Sequence, residues 1–312
     1  MPWHELRWGL AAPLLLALVA CDHGAAGLAS PNPSQVSTPL NLQGAVHAGT
    51  VALSGASVKV YAQAPSQQVP QTLGQALSDA TGAFQLSIVC PSDSENPLQI
   101  YVVVSGGQAA GNAQGGSNMA IELVAMLGTC ANVPAEVHVN ELTTIAAAYA
   151  LNAFIEDDAI SGSGPGLPNA IGTAALLGDP ATGALGASLP TTQACAGNAP
   201  PFNCEAATKL NALANALAAC TASASSTAPA CAALMVCSTP NAVDNGDGSC
   251  TPGYMYALPT TIWQAILSIA RNPGLVSATG LFSLAAAATF TAQRPLQHPL
   301  TGHCPSRSPV AD

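Results

Sequence analysis

Residues 55–61, Gly55-Ala56-Ser57-Val58-Lys59-Val60-Tyr61, and 78–86, Ser78-Asp79-Ala80-Thr81-Gly82-Ala83-Phe84-Gln85-Leu86, decide the fold of the N-terminal half. In the first stretch Val58 and Val60 alternate with Lys59 and Tyr61, the period-two pattern of a strand that buries one face. The second starts as a polar turn and passes into another alternating strand. Working outward, Leu42-Gln43-Gly44-Ala45-Val46 reads as an earlier strand, Leu98 to Val104 as a buried central one, and Met119 to Leu127 as the last. The expectation is an antiparallel β-sandwich over residues 41–130.

Beyond that point the period lengthens to that of a helix. Asn140 is an N-cap candidate, and the residues after it put Leu142, Ile145, Ala146, Tyr149 and Ala153 on one helical face. A second helix is expected from Glu205 to Cys220, with Leu210, Leu213 and Leu217 in register. A third opens at Pro259 as first-turn proline, turns Ile262, Ile266 and Ile269 inward and stops at Asn272-Pro273-Gly274. A fourth covers Val276 to Ala288, and loops rich in Gly, Pro and Ser lie between them. The expected fold class is α+β and multidomain: an N-terminal antiparallel β-sandwich followed by a small disulfide-rich α-helical domain at residues 134–288.

Composition narrows the function. Only 7% of the 312 residues are charged and 4% aromatic, and much of the 49% hydrophobic share is alanine, which buries little area per residue. Covalent staples are therefore expected to supplement the core. A net charge of −10 with six Lys and Arg argues against nucleic acid as a partner, because phosphate neutralisation needs a basic face. It disfavours a polybasic membrane patch for the same reason.

The ten cysteines include no CxxC and point to an oxidising compartment. Apart from Cys21 and Cys304, eight remain as disulfide candidates: Cys90, Cys130, Cys195, Cys204, Cys220, Cys231, Cys237 and Cys250. Local spacing favours Cys195/Cys204, Cys220/Cys231 and Cys237/Cys250, with Cys90/Cys130 closing the sandwich; sequence alone does not fix this connectivity.

Residues 1–20 read as an export signal, with Arg7 in a short leading region and an apolar run from Leu10 to Val19 that is too short for a permanent membrane span. The tetrad Leu18-Val19-Ala20-Cys21 resembles the lipobox of bacterial lipoproteins. That resemblance implies a diacylglyceryl group on Cys21, cleavage before it, and residence in the cell envelope on a lipid anchor. Asp22 resembles an inner-membrane retention signal of some Gram-negative bacteria, which leaves inner or outer membrane open. Residues 21–40, rich in Ser, Pro, Ala and Gly, form a flexible tether in this reading.

The succession Gly44-x-Val46, Gly55-Ala56-x-Val58-x-Val60-Tyr61 and Asp79-Ala80-Thr81-Gly82-x-Phe84 resembles the carboxypeptidase regulatory-like, or collagen-adhesin B-type, β-sandwich superfamily. The resemblance implies that Asp79 and Gly82 shape a turn, that Phe84 enters the core, and that the module is a stalk, spacer or adhesive unit without catalytic residues. An internal isopeptide bond is not expected, since Lys59 is the sole lysine of this region and has no convincing acidic partner. Val139-Asn140-Glu141-Leu142-Thr143-Thr144-Ile145-Ala146-Ala147, Leu210 to Cys220, and Ile269 to Gly274 with Leu281 to Leu284 resemble an uncharacterised bacterial envelope region that commonly precedes an NHL-repeat β-propeller. No repeat of blade length follows, and residues 289–312 read as a disordered, aberrant tail of a truncated or frameshifted product.

Chemistry-bearing motifs are few. His138-Val139-Asn140-Glu141 is an HxxE like that of zinc carboxypeptidases, but His298 and His303 fall in the tail, His47 falls in the sandwich, and no substrate arginine or general base accompanies it. A cap and first turn is the favoured reading. Asp244-Asn245-Gly246-Asp247-Gly248-Ser249 resembles the start of a calcium loop, yet Cys250-Thr251-Pro252 interrupts the spacing to a bidentate glutamate. Glu156-Asp157-Asp158 reads as a solvated helix end, and Gly106-Gly107 and Gly115-Gly116 as turns. No GxSxG occurs.

The functional expectation is a non-enzymatic envelope lipoprotein without cofactor, acting as structural, adhesive or assembly module. Its expected partners are the membrane, through Cys21, and envelope proteins or glycans. The alternatives are a zinc-dependent hydrolase on His138 and Glu141, and a calcium- or glycan-binding surface module with Asp244 and Asp247 as its acidic candidates.

Overall fold

Alternating burial organises the first strands. A computed structural model describes residues 39–63, 69–91, 97–111, 116–156, 159–162, 164–190 and 201–285. It holds β1 (Leu40–Ala48), β2 (Val51–Ser54), β3 (Ser57–Ala62), β4 (Gln71–Leu77), β5 (Ala83–Ile88), β6 (Gln99–Ser105), β7 (Gln108–Ala109) and β8 (Glu122–Thr129). One sheet runs β5-β1-β2-β7 and the other β4-β3-β6-β8, all with antiparallel neighbours. Val46, Leu53 and Phe84 of the first join Val58, Val60, Ile100, Val102 and Val104 of the second in one buried cluster. Polar partners alternate outward on β3 and β5, so the period-two reading matches the burial.

The Asp79 turn shows how sequence chemistry makes this geometry. Asp79 Oδ1 accepts the Thr81 amide at 2.7 Å, the Thr81 hydroxyl at 2.7 Å and the Ala83 amide at 3.0 Å. These donors hold the Asp79 carboxyl below its ordinary range. Gly82 completes the turn with φ of +77°, and Phe84 then enters the core at 4% exposure.

Strand β4 was not expected from the pattern, because its residues are mostly polar and half-exposed. It is an edge strand, held by pairing with β3 and by Gly74, where a Cβ would press on Leu86 and Ile88. Strand β8 is buried on both faces because helices cover its outer side.

Those helices are α1 (Glu141–Leu151), α2 (Gly166–Leu177), α3 (Pro201–Thr221), α4 (Pro229–Cys237), α5 (Ile262–Arg271) and α6 (Ala278–Leu284). The first is central: every residue from Glu141 to Ala148 is buried, and it packs against β8, α2, α3 and α5. A helix enclosed on all sides has no single apolar stripe, so the expected face ending at Ala153 is replaced by burial all round, and Ala153 itself is exposed in a 3₁₀ turn.

The start of α5 also differs from expectation. Thr261, not Pro259, opens it, its hydroxyl accepting the Gln264 amide at 3.2 Å. Ser277 caps α6 in the same way, and that helix stops at Leu284. Helices α2 and α4 occupy stretches read as loops; α4 carries Pro229 at its first position, the place where a proline is tolerated.

The sandwich and the helices share one core within a single compact unit. Polar links join them as well. A short strand, β9 (Val137–Val139), pairs in parallel with β1, Ala45 beside His138. Thr144 of α1 accepts the Val124 amide of β8 at 3.0 Å. Asn118, fully buried, donates to the carbonyls of Cys220 at 2.9 Å and Ser223 at 3.1 Å while its own oxygen accepts the Ala120 amide.

Disulfides join Cys90 to Cys130, Cys220 to Cys231 and Cys237 to Cys250. The first links the end of β5 to the end of β8, the second α3 to α4, and the third α4 to a small hairpin. Cys204 is also disulfide-bonded; Cys195, its expected partner, lies outside the described residues, as do Cys21 and Cys304. The remaining short strands are β10 (Ile155–Glu156), β11 (Ala159–Ile160), β12 (Val243–Asp244) and β13 (Cys250–Thr251). No helix among the described residues is long and apolar enough to cross a membrane.

Candidate functional site

The HxxE motif straddles a strand and a helix start, and its two candidate side chains take different surroundings. His138 sits on β9, where pairing with β1 brings its ring beside His47, centroids 6.4 Å apart and planes 23° from parallel. Its Nε2 lies 3.7 Å from Glu136 Oε1 near the surface. Burial, followed by the charge of His138, lowers the affinity of His47 for a proton.

Asn140 then caps α1 through a reciprocal pair: its side chain accepts the Thr143 amide, and the Thr143 hydroxyl accepts the Asn140 amide, both at 3.1 Å. The Asn140 amide group also donates to the Gly183 carbonyl at 2.7 Å.

Glu141 turns into the interior and is 0% exposed. Its Oε2 accepts the Gly49 amide at 3.0 Å, whereas Oε1 has no well-formed hydrogen bond. The Thr221 hydroxyl beside it donates to the Leu217 carbonyl at 3.0 Å. Burial pushes the carboxyl up to about 7, against the opposing pull of the Gly49 amide, the Glu141 amide and Thr221. A fully buried acid whose ionisation burial opposes, and whose oxygen is held by a backbone amide, is poorly matched to a zinc ligand, which must be ionised and face the metal. Among the described residues no three His, Cys, Asp or Glu side chains gather as a metal set.

The acidic hairpin is likewise committed internally. Asp244 Oδ1 accepts the Gly246 amide at 2.9 Å, and Asp247 Oδ1 accepts the Ser249 amide at 2.9 Å and the Ser249 hydroxyl at 2.6 Å. Asn245 bridges Ser249 and Thr251, and the Cys237–Cys250 bond closes the base. These contacts build a β12–β13 turn. Of the acidic stretch 156–158, only Glu156 falls within the described residues, in β10.

A concavity that the motifs did not mark lies on the outer side of the β1–β5 ladder. It encloses about 450 Å³, with Gln43 and Gln85 along it, Gly44 and Phe84 lining it, and Asp79 and Glu136 among its walls. The only sequence signal for it is the outward polar phase of two strands whose mutual register the sequence does not state. The chain matches no family model, and no curated protein matches it.

Proposed function

We propose that the chain is an exported envelope lipoprotein, anchored through Cys21, whose body serves as a non-enzymatic structural or adhesive module. The observation that carries this reading is the tetrad Leu18-Val19-Ala20-Cys21 after an apolar run, in a chain that joins Cys90 to Cys130, Cys220 to Cys231 and Cys237 to Cys250 in disulfides. Disulfides of this density belong to an oxidising compartment. The non-enzymatic part is supported by the duties of the residues marked for chemistry: Glu141 ties a strand turn to a helix, and Asp244 and Asp247 shape a hairpin. The carboxypeptidase regulatory-like and pre-propeller resemblances belong to the same proposal.

The test compares the full chain with its Cys21→Ser variant in a bacterial host, by intact mass and membrane partition. Lipid mass and membrane association that both vanish in the variant support the anchor; retention of either independently of Cys21 removes it.

A further inference from the structure

We infer that the groove over the β1–β5 ladder binds a neutral carbohydrate chain, which rests on the reading of the protein as an adhesive envelope module and names its ligand class.

The groove lies on paired strands, so its geometry is set by the sheet. Gln43 and Gln85 are directly opposite in the antiparallel register, and both are exposed. Side chains at such positions stand on the same face within reach of one ligand. Neither side-chain amide has a hydrogen-bond partner among the described residues. Each amide offers both donor and acceptor atoms, which matches a hydroxyl group that donates and accepts at once.

The other walls fit the same ligand. Leu77, 70% exposed, supplies an apolar rim, and Phe84 lines the groove from the core side. Sugar rings present C–H faces to such surfaces and hydroxyl edges to the amides. The volume falls within the range of about 300–1,000 Å³ usual for small-ligand sites.

Charge separates carbohydrate from the other candidates. No lysine or arginine lines the groove, so phosphate and sulfate groups have no counterion there. Of its two carboxylates, Asp79 spends Oδ1 on three donors of its own turn, and Glu136 lies exposed, 3.7 Å from His138; both keep oxygens that can accept from hydroxyl groups. Amides that both donate and accept, beside carboxylates that accept, form a set that hydroxyl groups fill completely, whereas the ammonium groups of a cationic peptide only donate and leave the amide donors unused.

The experiment uses the full chain in detergent, titrated calorimetrically with neutral malto-, cello- and chito-oligosaccharides, a sulfated oligosaccharide and an oligolysine peptide. The expected result is saturable binding to a neutral series, at least tenfold weaker in the Gln43→Ala/Gln85→Ala double variant with an unchanged melting temperature. A Leu77→Asp variant should weaken it too. Absence of binding to every neutral series, equal binding by the double variant, or preference for the sulfated ligand or oligolysine overturns the inference. Lipid anchoring is read separately from the Cys21→Ser mass and partition, so either idea can fail without the other.

Discussion

The Glu141 carboxylate accepts the Gly49 amide at 3.0 Å, tying residues 92 positions apart and fastening the β1–β2 turn to the first turn of α1. Because burial raises this carboxyl to about 7 from an ordinary 4.5, its protonated form is the one the fold prefers. The stability it contributes is fully present below about pH 4.5 and is lost as pH rises through 7, on the order of 3 kcal/mol in all. His47, whose affinity for a proton is lowered, acts oppositely, its contribution fading as pH falls below the ordinary histidine range. Melting temperatures of Glu141→Gln between pH 5 and 8, measured in a His47→Asn background, should lose most of the slope of the parent; an unchanged slope assigns the dependence elsewhere.

Asn118 should make the sandwich and the helices unfold together. Two of its three hydrogen bonds are buried and the one to Ser223 partly so; Asn118→Ala removes all three, although the Cys220 carbonyl keeps the Ser223 amide, at a cost of about 1–3 kcal/mol. Trp263, 1% exposed on α5, is the sole tryptophan beyond residue 20 and reports on the helices. Its fluorescence and the far-ultraviolet circular dichroism should shift to lower urea together in the variant. Separate transitions would show two independently folding parts.

Two backbone positions with positive φ should respond in opposite directions. Gly82 at +77° would bring an added Cβ within 2.5 Å of the Val46 carbonyl, so Gly82→Ala costs about 2–4 kcal/mol. Met255 also sits at +77° yet is fully exposed, and Met255→Gly relieves that conformation for a gain of about 0.5–1 kcal/mol. Denaturant midpoints check both signs.

Burial should order the disulfides in reactivity. Cys220 and Cys231 are both 0% exposed, whereas Cys90 and Cys130 are half-buried. Limited reduction followed by alkylation is expected to label Cys90 and Cys130 before Cys220 and Cys231. Replacing Cys220 and Cys231 together with alanine should cost about 2–4 kcal/mol by chemical denaturation.

What the sequence makes legible is local. Strands β3 and β5 announce themselves because Val58 and Val60, and Phe84 and Leu86, repeat at the spacing their burial requires. The cap at Asn140 is equally readable, since donor and acceptor lie three residues apart. Strand β9 is not, because three residues become a strand only through pairing with distant β1. Nor is the inward turn of Glu141, which depends on where Gly49 is carried by the hairpin. The groove is hidden for the same reason: Gln43 and Gln85 become neighbours only through the β1–β5 register. Pro259 is a common helix-start residue, yet it lies outside α5, and the hydroxyl of Thr261 makes the cap.

The parallel pairing of β9 with β1 has a consequence for how such a gene can be cut and recombined. A transcript ending just after Cys130 would encode every antiparallel strand of the sandwich yet leave Gly44 to Val46 with the peptide groups that now meet Val137 to Val139 unpaired. A bare strand edge of that kind is a template for another chain, and clumping rather than a free-standing module is the outcome to expect. The seam between the two halves is therefore a poor place to cut, and the two are expected to stay soluble only as one piece.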